Sequence, residues 1–116
     1  MADRVLFIGW TGVIPGREKQ AAELATKATE YFNKLQADGK IESFETVILR
    51  PHGGDLNGFR LIKGEAEKLD AVKREETFRI QAIEANYCYQ GYGIVDGIIG
   101  EGVTWIMSRY QELVGA

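Results

Sequence analysis

Acid–base chemistry in this sequence has one obvious candidate, His52, which is the chain's only histidine. A histidine side chain titrates near neutral pH and can therefore accept and donate protons during a reaction. Asp55 lies in the same segment, PHGGDLNG, and is close enough in sequence to orient the imidazole ring. The simpler alternative is a polar side chain in an exposed turn, so a catalytic role for His52 is a hypothesis.

A second group of residues has the chemistry of a binding site for an aromatic ligand. Tryptophan and tyrosine combine flat apolar rings with a hydrogen-bond donor, and arginine can hold a ligand carboxylate by charge-assisted hydrogen bonds. The ligand-binding candidates are Trp10, Arg50, Arg60, Tyr87, Tyr89 and Tyr92, and Lys63 and Trp105 have similar chemistry. Core packing, dimer contacts and solvated strand ends explain the same residues, so their roles as ligand contacts are hypotheses.

Neither a metal nor a cofactor is expected from the sequence. Zinc needs clustered ligands, whereas His52 and Cys88 are single residues far apart in the chain. His52 meets the axial-ligand requirement of haem, but no other feature indicates haem. We expect Cys88 to be a small buried side chain within a strand, because no basic neighbour in sequence would activate its thiol. The glycines of PHGGDLNG do not match the phosphate-binding pattern GxxxxGK(S/T).

Length and charge limit the classes of protein to which this chain can belong. A chain of 116 residues is expected to form one domain, over 1–116, and 45% of its residues are hydrophobic. Its net charge of −3 disfavours non-specific binding to nucleic acid and to acidic membranes. We find one cysteine, no signal-peptide pattern and no apolar run near the ~18 residues of a membrane span. We therefore expect a cytoplasmic protein without a nucleic-acid or membrane partner.

The elements that must position the candidate residues follow from the periodicity of apolar residues. In chain order we predict a strand over 5–13, a helix over 17–37, strands over 41–50 and 58–63 joined by the glycine-rich turn, a helix over 65–85, a strand over 86–99 and a helix over 101–114. Charged residues interrupt the apolar stripe of the second helix around Arg74. We therefore expect a kink or a short break near Arg74.

This order of elements predicts a split βαβ arrangement with both crossover helices on one face of a four-stranded antiparallel sheet. The first strand is nevertheless apolar on both sides. Val5 and Phe7 belong to one side, and Leu6, Ile8 and Trp10 belong to the other. Helices can cover only one of these faces, and the last helix is too short to cover the second. We therefore predict a homodimer joined sheet to sheet, in which each uncovered face buries the other.

Three segments resemble the dimeric α+β barrel superfamily: VLFIGWTGVIPGRE, GGDLNGFRLIKG and YGIVDGIIGEG with its trailing helix. The resemblance extends over nearly the whole chain. It implies an α+β, ferredoxin-like fold with a four-stranded antiparallel sheet plus a C-terminal helix, a homodimer, and sites between the sheet and the helices. The superfamily includes cofactor-independent monooxygenases, haem-handling enzymes, cyclases, isomerases and members without known activity. It shares no catalytic signature, so no functional residue is transferred.

Two functions are consistent with these observations. The first is binding of a small apolar or aromatic molecule between sheet and helices, as in a cofactor-independent monooxygenase or an isomerase-like enzyme. The alternative is a non-catalytic dimeric structural or binding protein. An RNA-binding module shares the strand order, but its aromatic signature is missing and the charge is negative. An open cavity with His52 or an arginine at its mouth would favour the first function, and a closed core filled by tyrosine and tryptophan would favour the alternative.

Overall fold

The computed structural model describes residues 2–115, which follow the order of elements expected for a split βαβ fold. The elements are β1 (Arg4–Trp10), β2 (Gly12–Val13), α1 (Glu18–Ala37), β3 (Ser43–Ile48), β4 (Gly58–Gly64), α2 (Ala66–Arg74), α3 (Glu76–Cys88), β5 (Tyr89–Gln90), β6 (Gly93–Ile98) and α4 (Glu101–Val114). The main sheet is antiparallel and has the strand order β3-β4-β1-β6. Strands β2 and β5 pair separately.

Helices α1, α2 and α3 pack against one face of the main sheet. Leu6 of β1, Ile62 of β4 and Val72 of α2 are almost completely buried there. Phe32 of α1 and Phe78 of α3 belong to the same apolar cluster. The α+β ferredoxin-like fold expected from the sequence, with its four-stranded antiparallel sheet and C-terminal helix, is therefore confirmed.

The other face of the sheet is not packed against these three helices. Phe7 and Phe59 stack on it with their ring centroids 4.9 Å apart. Val95 of β6 pairs with Phe7 and is 59% exposed. Helix α4 is also uncovered, since none of its residues is buried and Trp105 is 65% exposed. The two-sided apolarity predicted for the strands is present, and one of the two sides is open in the isolated chain.

The first strand is shorter than predicted. The expected strand over 5–13 belongs to the main sheet only as far as Trp10, after which β2 pairs with β5. The change of partner begins at Thr11, whose backbone N–H donates to the carbonyl of Gln90 at 2.8 Å. This small second sheet connects β1 to the segment that carries Tyr89.

The strand predicted over 86–99 is wrong in two respects. It is divided at residues 91–92 into β5, which pairs with β2, and β6, which belongs to the main sheet. Its first three residues form the last turn of α3. Ala85 and Cys88, which are three positions apart, are both buried, whereas Tyr87 is 54% exposed. This is helical spacing, and packing against the core outweighs the strand preference of an aromatic-rich segment. Cys88 is thus buried as expected, but at the end of a helix and not within a strand.

The second helical stretch breaks where predicted. Helix α2 ends at Arg74, Glu75 has extended backbone angles, and α3 begins at Glu76. The Glu75 carboxylate accepts a hydrogen bond from the Tyr31 hydroxyl at 2.7 Å and one from the Lys40 ammonium at 3.0 Å. Burial and the Glu75 carboxylate raise the pKa of Tyr31. These contacts tie the break to α1 and to the turn that follows it.

We predict that Glu75→Gln destabilises the fold at neutral pH by about 1 kcal/mol, the typical net value of such hydrogen bonds. Burial alone would raise the pKa of Glu75, but hydrogen bonds from Tyr31 and Lys40 outweigh it and hold the pKa below its ordinary 4.5. A lowered pKa in the folded state stabilises the fold above the unfolded pKa, and this contribution is lost as the pH falls through the folded pKa.

The measurement is urea unfolding at neutral pH and at about pH 3, where the difference between Glu75→Gln and the wild type should shrink. Glu30→Gln, at an exposed position of α1, is the matched control and should be neutral at both pH values. An unchanged difference at acidic pH would contradict a role for the ionised carboxylate.

Candidate functional site

A cavity of about 310 Å³ lies between the helix-covered face of the sheet and helices α1 and α3. Ile48, a lining residue on the edge strand β3, is 70% exposed and therefore lies at an opening of the cavity to solvent. Most of its lining is apolar. The lining residues are Ile8, Trp10, Val13, Leu24, Ala25, Ala28, Phe32, Thr46, Ile48, Arg60, Phe78, Gln81, Ala82, Ala85, Tyr89 and Tyr92.

Trp10 forms one wall of the cavity because its neighbour on β4 has no side chain. In the sheet register Trp10 lies opposite Gly58, and Gly58 lies opposite Ile48. A Cβ atom at Gly58 would be 2.7 Å from Cζ2 of the indole, so only glycine leaves space for the ring. The indole also contacts Tyr89, with ring centroids 5.6 Å apart. The two rings are inclined at 42° to each other and together form an apolar wall of the cavity.

Arg60 is the single charged residue among those that line the cavity. Its Nε donates a hydrogen bond to the Thr46 hydroxyl at 3.0 Å, and its guanidinium carbon lies 5.2 Å from the centroid of the Phe32 ring. Burial lowers the pKa of Arg60, although Tyr89 and Tyr92 oppose this shift. Because an arginine remains protonated at neutral pH, the cavity contains a partly desolvated cation.

Tyr89 and Tyr92 supply the phenol groups of the cavity. Burial raises the pKa of Tyr89 and raises the pKa of Tyr92 to about 12, while Arg60 opposes both shifts. Both hydroxyls are therefore neutral hydrogen-bond donors at neutral pH. Gly91 holds the turn between them with a left-handed backbone, and a Cβ atom there would collide with the Thr11 hydroxyl.

The cavity brings together four of the six ligand-binding candidates: Trp10, Arg60, Tyr89 and Tyr92. The other two are elsewhere. Arg50 is exposed just beyond the end of β3. Tyr87 lies under the guanidinium of Arg17, 3.9 Å from its ring centroid, and its carbonyl accepts a hydrogen bond from Arg17 Nη1 at 2.8 Å. Neither residue is part of the cavity lining.

His52 lies in the exposed β3–β4 loop and is not part of the cavity lining. Its Nε2 is 2.7 Å from the carbonyl oxygen of Leu56, and its Nδ1 accepts the backbone N–H of Gly54 at 3.2 Å. Both ring nitrogens therefore contact backbone atoms of the same β3–β4 loop. These contacts support a role for His52 in stabilising the loop. A catalytic role for His52 stays a prediction.

Sequence reasoning missed the helix residues that complete the site. No residue of α1 was among the candidates from the sequence, yet Ala25 and Ala28 line the cavity and leave space that larger side chains would fill. Gln81 is a polar residue between Phe78 and Ala85 on the inner side of α3. Small residues and a lone polar residue on an apolar stripe were the signals available in the sequence.

Within residues 2–115 no group of three or more histidine, cysteine, aspartate or glutamate residues is arranged to hold a metal ion. In the same part of the chain, no helix combines the length and the apolar character needed to cross a membrane.

No protein-family model matches the chain, and no curated protein sequence matches it. Solved structures do match it over most of its length. A dimeric ferredoxin-like protein of unknown function from a Jannaschia species has a TM-score of 0.65 at 12% identity, covering 84% of this chain and 97% of that one. Hydroxynitrile lyase from Passiflora edulis has a TM-score of 0.65 at 12% identity, covering 85% and 95%.

SnoaB, a cofactor-independent oxygenase from Streptomyces nogalater, has a TM-score of 0.50 at 15% identity and covers 85% of this chain and 93% of its own. At such identities the likeness shows the fold alone. The ferredoxin-like fold expected from the sequence is confirmed, because structures of dimeric ferredoxin-like proteins are among the matches. What the cavity does must be argued from its own residues.

Proposed function

We propose that this protein binds a small, flat, mainly apolar molecule in the cavity between the sheet and helices α1 and α3. The supporting observation is an open cavity walled by the rings of Trp10, Tyr89 and Tyr92 with Arg60 among them. Its volume of about 310 Å³ is at the lower end of the roughly 300–1,000 Å³ of ligand pockets. A closed core would have favoured a purely structural role.

The proposal predicts binding of N-phenylnaphthylamine, a neutral aromatic probe that fluoresces in apolar surroundings. The wild type should bind it with saturable enhancement, and Ala25→Phe should reduce the affinity at least about tenfold because the added ring occupies the cavity. Fluorescence titration measures both affinities.

Ala22→Phe is the matched control, since Ala22 is exposed on the same helix and does not line the cavity. This variant should bind the probe like the wild type. If Ala25→Phe and Ala22→Phe bound the probe with equal affinity, the probe would bind outside the cavity. If the wild type did not bind the probe, the proposed function would be contradicted.

A more specific proposal is that the protein is an enzyme, either a cofactor-independent monooxygenase or an isomerase-like enzyme. The oxygenase SnoaB and the Passiflora lyase support it as examples of enzymes with this fold. One observation favours the non-catalytic alternative. The described residues that line the cavity include no histidine, aspartate or glutamate, so the cavity of the isolated chain lacks the usual general bases. The proposed binding function holds for either form.

The proposed functional unit is a homodimer joined through the uncovered face of the sheet. Phe7, Phe59 and Leu61 lie on that face, and each is only partly buried in the isolated chain. The exposed apolar side chains of α4, such as Trp105 and Tyr110, add further surface for a partner. Dimeric proteins with this fold support the proposal.

The cytoplasm is the proposed location of this dimer. The single cysteine, Cys88, is buried and free, so the fold requires no oxidising compartment.

Each dimer would have two copies of the cavity, one on the helix-covered side of each sheet.

A further inference from the structure

Arg60 lacks the counter-charge that a partly buried arginine normally has. Among the described residues, its side chain makes no ion pair, and its one hydrogen bond goes to Thr46 through Nε. No acidic residue lines the cavity. Taking a charge out of water without pairing it is costly, and buried charges are therefore usually paired. An unpaired cation inside a ligand-sized cavity indicates that the ligand supplies the missing anion.

The hydrogen bond to Thr46 also determines which edge of the guanidinium is available. With Nε engaged at 3.0 Å, the two Nη groups and their N–H donors have no hydrogen-bond partner among the described residues. The Phe32 ring, 5.2 Å away, supports the guanidinium from the side of α1. A carboxylate has two oxygens at the spacing of the two Nη groups and can accept both hydrogen bonds together.

We infer that the ligand is a flat aromatic or similarly apolar compound with a single carboxylate, held by the free Nη edge of Arg60 while its ring lies against Trp10 and Tyr89. This inference rests on the proposed function and specifies its ligand class. A single cation selects a monoanion, because a second carboxylate in the apolar part of the cavity would be unpaired. Tyr92, a neutral donor near Arg60, can complete the hydrogen bonding of the anion.

Titration calorimetry with naphthoate and the neutral naphthamide of the same substitution pattern tests the inference. The two compounds have the same ring and nearly the same shape, and they differ in charge. The wild type should bind naphthoate roughly tenfold or more tightly than naphthamide, as a charge-assisted hydrogen bond implies. The preference should persist as salt is raised, because a partly buried ion pair is screened less than one at the surface.

Variants test whether Arg60 is responsible for the preference for naphthoate over naphthamide. Arg60→Gln should abolish the preference for naphthoate, because the variant loses the charge-assisted hydrogen bonds to the naphthoate carboxylate. The affinity for naphthamide, which has no charge, should change less than about threefold. Thr46→Val should weaken naphthoate binding a few-fold by releasing Nε, while Arg79→Gln, at an exposed position of α3 outside the cavity, should have no effect. Circular dichroism confirms that each variant is folded.

Equal wild-type affinities for naphthoate and naphthamide would overturn the inference, and this comparison needs no variant. Failure of both compounds to bind while the neutral probe binds would overturn it too. In either case the proposed cavity function would survive. Absence of naphthoate, naphthamide and probe binding together would instead contradict the proposed function itself.

Discussion

Replacing Val95 with aspartate should convert a dimer of this protein into a folded monomer. Val95 is 59% exposed in the isolated chain and pairs with Phe7 on the uncovered face of the sheet. The subunit therefore tolerates a polar side chain there, whereas a dimer joined through this face would bury it. Apolar area buried at about 25 cal/mol per Å² stabilises the dimer, and an unpaired carboxylate in the interface opposes association.

Sedimentation equilibrium should show a dimeric wild type and a dissociation constant increased about 100-fold or more in Val95→Asp, equivalent to roughly 2.7 kcal/mol. Leu61→Asp, near the middle of the same face, should act in the same direction. Ile83→Asp is the control, because Ile83 is 72% exposed on α3 and lies away from the sheet. A wild type that is monomeric at micromolar concentration would show that this face needs no partner.

Truncating Ile62 to alanine should cost about 2–5 kcal/mol of unfolding free energy, the range measured for buried large-to-small substitutions. Ile62 is 0% exposed and lies between Leu6 and Phe44 in the sheet register. Removing its side chain leaves a cavity against α1 and α2, which packing cannot fully close. The loss is a large fraction of the 5–15 kcal/mol typical of a whole domain.

Urea unfolding of the variant is the measurement, with Ile48→Ala as the matched control. Ile48 lies on the same face of the same hairpin, but it is 70% exposed at the mouth of the cavity. This control should change stability by no more than about 0.5 kcal/mol. Similar losses in the two variants would contradict the assignment of Ile62 to the core and Ile48 to the rim.

Local patterns in the sequence were sufficient for most of the fold. The apolar stripe of α1, the charged interruption near Arg74 and the stripe of α4 each depend on spacing within a few turns of helix, so the predicted and observed elements agree closely. The β3–β4 hairpin was predictable because its turn is dense in glycine, proline, aspartate and asparagine. The alternation of apolar residues also assigned Phe7 and Ile8 correctly to opposite faces of β1.

The composition of the site depended on long-range packing. Tyr87 and Tyr89 share one side if residues 86–99 form a strand, but continuation of α3 to Cys88 directs Tyr87 to the Arg17 side chain instead. The helix continues because Ala85 and Cys88 find buried positions against other elements, and a sequence pattern does not contain that information. Tyr89 and Tyr92 enter the cavity only after this helix ends.

Long-range packing also explains why Ile8 and Ile48 differ in burial, and why Arg60 and Arg50 differ. Alternation treats Ile8 and Ile48 alike, yet Ile8 is 6% exposed in a central strand and Ile48 is 70% exposed in an edge strand. Arg60 faces inward because β4 aligns it with Ile8 and Thr46, whereas Arg50 follows the end of β3 and remains in solvent. Residue spacing therefore predicts which side chains share a face of a strand. Strand order and helix packing determine which of those side chains are buried, which line the cavity and which remain in solvent.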